Sequence, residues 1–305
     1  MLSKNTNRCL GTPLAFAIVV AALALATAPT SAALIAHYSF ESGTGSGNGL
    51  TVGDDSGNDY DGTTAQGETG SPAFVSSTAP VPGGSSKALR FNLDNSGTIV
   101  DDNSYVDLPE AGLFINGSYT IATWLNVQER SGAGNNGAAK LVGNWSNSSP
   151  WAHNYLLRLF YTGHTNSDKV GFIVRDSDGD TTITIEDPDV PDLDTWYHYA
   201  VTFELDGTSA TATMYRDGVF VLDATATDFS GFSASDLNAE LGESSPGTGT
   251  GDGGFNGLLD DVRVYNEALT QAEIQGLAII PEPATLALLG LGGAVMLGRR
   301  NRRTN

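Results

Sequence analysis

The clearest two-residue alternation in the chain covers residues 119–127. There Tyr119, Ile121, Thr123, Leu125 and Val127 fall on one face and Trp124 on the other. An extended strand has that period, because successive side chains point to opposite sides of the backbone. Shorter runs of the same kind occupy residues 34–40, 87–93, 104–108, 140–145, 155–161, 170–175, 181–186 and 196–205. Residues 210–216 and 219–225 flank the pair Asp217 and Gly218, which supplies the positive φ angles that a two-residue hairpin needs.

The last apolar pattern of the body, residues 255–269, reads as a closing strand. If it is unbroken, Leu258, Asp260, Val262 and Val264 share one face, while Leu259, Asp261, Arg263 and Tyr265 share the other. The first set is the more apolar and is expected to face the core. That leaves the Asp260 carboxylate at the core edge, where a charge is costly unless a cation or several donors meet it. Thr270 and Glu273 then stand at capping-box spacing before a short helix. Residues 43–70 read as a long loop with at most a short strand near Tyr60, residues 73–86 as a proline-rich surface connection, and residues 241–254 as a glycine-rich loop. Many short strands with glycine-rich turns predict an all-β fold, a two-sheet antiparallel sandwich with one short terminal helix.

Both ends depart from this pattern. Residues 1–33 carry Lys4 and Arg8, an apolar run at 14–26 and small residues up to Ala33, the order of a secretory signal, with cleavage expected after Ala32 or Ala33. An uncleaved anchor helix is the alternative, and the run is short for it. Residues 279–305 contain Pro281, Glu282 and Pro283, then an apolar segment at 284–298, then Arg299, Arg300, Arg302 and Arg303. An apolar helix followed by arginines is a stop-transfer arrangement. Residues 34–278 remain as one sandwich.

Four stretches in order carry a family resemblance. They are residues 35–41 with the following Asp55-Ser-Gly-Asn58, then 118–124, 195–203, and Gly257-Leu-Leu-Asp-Asp-Val-Arg-Val-Tyr-Asn-Glu-Ala-Leu-Thr-Gln-Ala-Glu-Ile274. The set resembles bacterial LamG-like domains, jelly rolls of the laminin G and concanavalin A-like lectin/glucanase type. The terminal block resembles the PEP-CTERM sorting signal, with Pro281, Glu282 and Pro283 as its tripeptide. That resemblance implies recognition by an exosortase in a Gram-negative-type envelope, removal of the tail, and a place at the cell surface, in the outer envelope or in the extracellular matrix.

Composition sharpens the partner class. Net charge is −20, and the basic residues at the two ends make the body more acidic still. Such a surface repels nucleic-acid phosphates and anionic membranes and attracts divalent cations. The single cysteine, Cys9, lies in the leader, so no disulfide is expected in the exported form.

Candidate chemistry follows. Glu41 ends the first strand and Asp260 begins the last, and in related jelly rolls these ends lie close, often around one structural calcium. Hard oxygen ligands suit that ion, and Asp54, Asp55 and Asn58 are further oxygen donors nearby. The alternative is that Asp260 accepts backbone amides or pairs with a base. Asp176-Ser-Asp-Gly-Asp180 lacks the glycine spacing of an EF-hand loop and reads as a hairpin turn. Trp145, Trp151, His153 and Tyr155 offer aromatic faces and polar edges for a polysaccharide or surface glycan, or else pack at the edge of the sandwich. His198 reads as a packed histidine. No Glu-x-Asp-x-x-Glu occurs, so the close carboxylate pair of jelly-roll glycosidases is not evident. The resulting expectation is an exported, non-enzymatic surface or extracellular-matrix protein whose sandwich binds carbohydrate or another surface ligand. A ligand-free envelope component and a glycoside hydrolase are the alternatives.

Overall fold

The computed structural model describes residues 32–65, 71–93, 104–109, 113, 115–130, 138–144, 155–160, 168–232, 239–242 and 254–278. Its strands are β1 (Leu34–Tyr38), β2 (Thr51–Val52), β3 (Gly62–Ala65), β4 (Ser71–Ser76), β5 (Lys87–Leu93), β6 (Tyr105–Leu108), β7 (Tyr119–Val127) and β8 (Ala138–Gly143). They continue as β9 (Leu156–Phe160), β10 (Val170–Arg175), β11 (Thr182–Glu186), β12 (Trp196–Asp206), β13 (Ser209–Arg216), β14 (Val219–Ala226), β15 (Ala239–Leu241) and β16 (Gly257–Tyr265). One helix, α1 (Gln271–Ala278), closes the described chain.

The strands form two antiparallel sheets. The first runs β14-β13-β12-β7-β16-β5-β4, with β1 also paired to β16; the second runs β11-β10-β9-β8-β15-β6-β3-β2. The core lies between them. Tyr119, Ile121, Leu125 and Val127 of β7 enter it, as their alternation predicts, and meet Leu157, Leu159, Phe172 and Val174 of the second sheet. Tyr119 stacks on Phe203 with ring centroids 5.1 Å apart.

Strand β16 corrects the face assignment made from its sequence. Asp261 adopts φ 49°, and the register against β7 shifts between Asp260 and Arg263. A bulge adds a residue and reverses the phase of the pleat. Leu259, rather than Leu258, therefore shares the core with Val262 and Val264. Both adjacent aspartates are buried.

Residues 73–86 are not one surface connection. Ser71–Ser76 forms β4, paired with β5. The chain then folds over the outer face of the first sheet, where Ala79 and Val81 cover Trp124. Thus Trp124 is buried on the side away from the main core. Helix α1 covers the neighbouring part of that face, with Ile274 packed among Ala122, Ala200 and Tyr215. Its start is tied by Glu273 Oε2, which accepts from the Thr270 amide at 2.8 Å.

Candidate functional site

The chain around the end of β1 and the bulge within β16, where Asp260 sits rather than at the start of the strand, meet in a cavity of about 170 Å³ lined by His37, Ser39, Glu41, Ser85, Asp260 and Asp261 among others. Phe40 takes φ 61° at the end of β1, and the chain turns there with the Gly43 amide bonded to the Phe40 carbonyl. Glu41 follows and grips the start of β5. Its Oε1 accepts from the Ser86 amide at 2.7 Å and the Lys87 amide at 3.0 Å, and the Ser86 hydroxyl donates to Oε2. Burial opposes ionisation of Glu41, but these donors prevail and hold its carboxyl down at about 2. The Lys87 ammonium donates to the Glu41 and Gly43 carbonyls at 2.8 and 2.7 Å.

Asp260 is different. Ser77 and Ser85 hydroxyls reach its Oδ2 at 2.6 and 2.7 Å, while Oδ1 is buried without a partner. Burial pushes its carboxyl up to about 6 despite the serine bonds. Next to it, Asp261 accepts from Arg263 at 2.9 Å and lies 2.7 Å from His37 Nε2. Burial would raise Asp261, yet His37 and Arg263 keep it below the usual carboxylate range.

The sequence expectation of a calcium ion can be tested on these donors. The unpartnered Asp260 Oδ1 beside a cavity suits a hard cation, since a desolvated carboxylate oxygen lacks any compensating donor. Glu41 does not suit it equally well, because amide hydrogens already occupy its inward oxygen. Among the described residues no group of three or more His, Cys, Asp or Glu side chains converges as a metal cluster. Asp54 and Asn58 serve the loop instead. Asp54 Oδ1 accepts from the His37 amide at 2.8 Å, and Asn58 donates to the Ile35 carbonyl at 2.8 Å. The segment from Asp176 is a turn, with the Asp176 amide bonded to the Thr181 carbonyl and Gly179 at φ 81°.

Of the residues expected to face a glycan, Trp145, Trp151 and His153 lie outside the described residues. Tyr155 is corrected: it is 0% exposed, and its hydroxyl donates to the Leu113 carbonyl at 3.2 Å. It precedes Leu157 and Leu159 on the inward phase of β9 and packs 5.5 Å from the Tyr119 ring. His198 is buried beside Trp124, with ring centroids 5.4 Å apart, and burial pulls it down to about 4.

Sequence reading missed the polar face of the second sheet. Alternation turns Ala139, Leu141, Leu157, Leu159, Val106, Leu108, Ala239 and Leu241 inward. Lys140, Arg158, Asp107 and Glu240 therefore point outward. Register sets Lys140 opposite Arg158, Arg158 opposite Gly171, Gly171 opposite Glu186, and Glu240 opposite Asp107. Lys140 is only 3% exposed and is paired with Glu240. Charged side chains thus stand on β6, β15, β8, β9 and β11, with Gly171 of β10 interrupting the band between Arg158 and Glu186, and each residue comes from a different segment of sequence.

Residues 96–275 match the family described as the concanavalin A-like lectin/glucanases superfamily. Residues 280–303 match the PEP-CTERM protein-sorting motif. Comparison with curated proteins finds no match. Among solved structures, domain 4 of a GH43 extracellular arabinanase from Geobacillus stearothermophilus, in complex with arabinotriose, is similar. It has TM-score 0.54 and 21% identity over 81% of this chain and 99% of that one. The binding domain of Paraclostridial Mosquitocidal Protein 1 gives TM-score 0.52 and 15% identity over 79% of this chain; the chain spans 51% of that one. A Trypanosoma rangeli sialidase in complex with a difluoro-KDN gives 0.50 and 16% over 80% of this chain and 32% of that one. At these identities the likeness shows the fold. Among the described residues no helix is long and apolar enough to cross a membrane, and the apolar stretches at 14–26 and 284–298 lie outside them.

Proposed function

The chain belongs to the concanavalin A-like lectin/glucanases superfamily, and on that footing we propose that it is an exosortase-sorted surface or matrix protein whose sandwich binds carbohydrate. Its sorting motif indicates export and a surface or extracellular location. Passage through the secretion machinery and inner membrane of a Gram-negative-type cell, with the tail removed by an exosortase, completes the proposal.

The observation that carries the ligand class is the hydrogen-bonding band across the second sheet, Asp107, Glu240, Lys140, Arg158 and Glu186. Hydroxyl-rich ligands match such a face, because each side chain offers a charged donor or acceptor. The complex of arabinotriose with a domain of the same fold supports the reading. Binding is favoured over hydrolysis. The sequence carries no Glu-x-Asp-x-x-Glu, and the Glu240 carboxylate is already engaged by the Lys140 ammonium. Trp151, with Trp145 and His153, is proposed to add stacking surface for the sugar. A structural calcium is proposed at Asp260 Oδ1, where it would neutralise a buried charge and fasten β16 to the segment from Ser77 to Ser85.

A glycan array with the purified protein tests the reading. Retention of a polysaccharide, weakened by Trp151→Ala, is the expected result. An empty array with retention in the matrix points to a ligand-free structural component. Release of reducing ends from a retained polymer establishes hydrolysis instead.

A further inference from the structure

A single row of residues runs in register across the outer face of the first sheet. Ala122 of β7 stands opposite Ala200 of β12, Ala200 opposite Tyr215 of β13, and Tyr215 opposite Phe220 of β14. Ala122 and Ala200 are small enough to let α1 approach, and Ile274 packs against them and against Tyr215. These three are buried, whereas Phe220 is 48% exposed. Its ring stands edge-on to Tyr215 with centroids 6.3 Å apart. The apolar row thus continues where its cover stops. Among the described residues the exposed large apolar side chains are Val190, Leu193, Val219 and Phe220, and Phe220 is the one set in this row.

The chain supplies an occupant at that point. A Cβ added at Gly218 would lie 3.1 Å from the Cα of Gln275 and 3.3 Å from the Cβ of Ala278, so the last turn of α1 ends on the turn that leads into β14. From Ile274 over β12 and β13 to Ala278 at this turn, the helix travels toward β14. Next in sequence come Ile279 and Ile280, which lie outside the described residues, and then Pro281. Proline lacks an amide hydrogen and disfavours helical backbone in the residue before it, so the chain is turned out of the helix at Ile280. A tethered segment meets its site at high effective concentration, and a small apolar contact is then enough to hold it.

We infer that Ile279 and Ile280 dock on Phe220 at the outer face of β14, completing the cover that α1 begins and holding Pro281, Glu282 and Pro283 of the sorting motif at the edge of the folded domain. The sandwich then presents the tripeptide directly instead of trailing it on a free linker. The inference is independent of the carbohydrate-binding reading.

The test places one thiol in the purified full chain. Cys9→Ser removes the only cysteine, and Ile279→Cys or Ile280→Cys is added singly. The rate of reaction with a water-soluble maleimide in detergent micelles is compared with the rate in urea. At least one thiol is expected to react about tenfold more slowly in the folded chain. Phe220→Ser is expected to remove that protection and Phe220→Leu to keep most of it. Val219→Ser alters the neighbouring side chain, which points to the other face of the strand, and is expected to change nothing. A second measurement does not depend on the serine variants. Phe220→Cys with Ile280→Cys is expected to form an intramolecular disulfide about tenfold faster than Val219→Cys with Ile280→Cys. Absence of protection at both positions overturns the inference, as do equal disulfide rates. Protection that survives Phe220→Ser assigns the cover to the micelle, and protection lost equally in Val219→Ser assigns it to the hairpin tip as a whole; either result overturns the docking on Phe220.

Discussion

Glu41, three residues past the end of β1, and Asp260, at the bulge within β16, converge on one hydroxyl. Ser85 Oγ lies 3.1 Å from Glu41 Oε1 and 2.7 Å from Asp260 Oδ2, and 3.0 Å from the Lys87 carbonyl as well. A hydroxyl has one proton to donate. Three acceptors therefore compete for it, and the network is short of protons or of a cation. Glu41 has amide donors in reserve, so the shortage falls on Asp260.

The shortage sets a pH dependence. The folded carboxyl of Asp260 is raised to about 6 by burial, against about 3.9 for an unfolded aspartate. Because the folded state holds the proton more tightly, its contribution to stability is complete below the unfolded value and is lost as pH rises through the folded one. The shift corresponds to about 3 kcal/mol. Asp260→Asn is therefore expected to be the more stable protein at pH 7.5 in chelator, with the gap closing by pH 4.5. Urea unfolding at both pH values measures it. No gap at pH 7.5 contradicts a buried, uncompensated charge.

A cation relieves the same shortage. Calcium is expected to raise the melting temperature of wild type at pH 7.5, to do so less at pH 5 where protons compete, and to leave Asp260→Asn unmoved. Saturation at one hundred times the dissociation constant corresponds to about 2.7 kcal/mol. Melting curves that ignore both calcium and chelator remove the ion from the proposal.

A second buried carboxylate is fully served. Asp187 is 0% exposed and accepts from the Tyr199 hydroxyl at 2.9 Å and from Arg216 at 3.0 Å. Removing one partner of such a pair typically costs about 3–5 kcal/mol, because the other charge stays buried. Arg216 is one-quarter exposed, and solvent screening brings the expected loss in Arg216→Met to about 2 kcal/mol. The double variant with Asp187→Asn should recover part of it. Chemical unfolding of the two single variants and the double closes the cycle, and strict additivity argues against the pairing.

How much of this was legible in the sequence depends on the range of the interaction. The inward face of β7 followed from alternation alone, and the Asp217–Gly218 hairpin from local φ preferences; both residues do have positive φ, at 51° and 76°. Strand β4 was hidden by Pro72 and by the proline-rich segment after it, although it gains its pairing from β5. The bulge at Asp261 was hidden because an aspartate with φ 49° looks like any other in a string of letters. The meeting of Glu41 with Asp260 was expected from family resemblance, while its currency, serine hydroxyls and amides of residues 85–87, was not. The facing of Lys140 and Arg158 is a matter of register between strands, which the pattern within either strand does not encode.

Two turn glycines, Gly207 between β12 and β13 and Gly218 between β13 and β14, separate backbone strain from crowding. Gly207 has φ 62° with nothing within 4 Å of an added Cβ, whereas at Gly218, with φ 76°, a Cβ would lie 3.1 Å from the Cα of Gln275 on helix α1. Gly207→Ala therefore bears only the left-handed penalty, about 1–2 kcal/mol. Gly218→Ala bears that and must also displace the backbone of a helix whose Ile274 is buried on the outer face of the first sheet. Overpacking of this kind adds about 1–3 kcal/mol. The expected order of stability in urea is wild type, Gly207→Ala, then Gly218→Ala. Equal losses at the two positions would show that α1 yields freely and is not a fixed cover on that sheet.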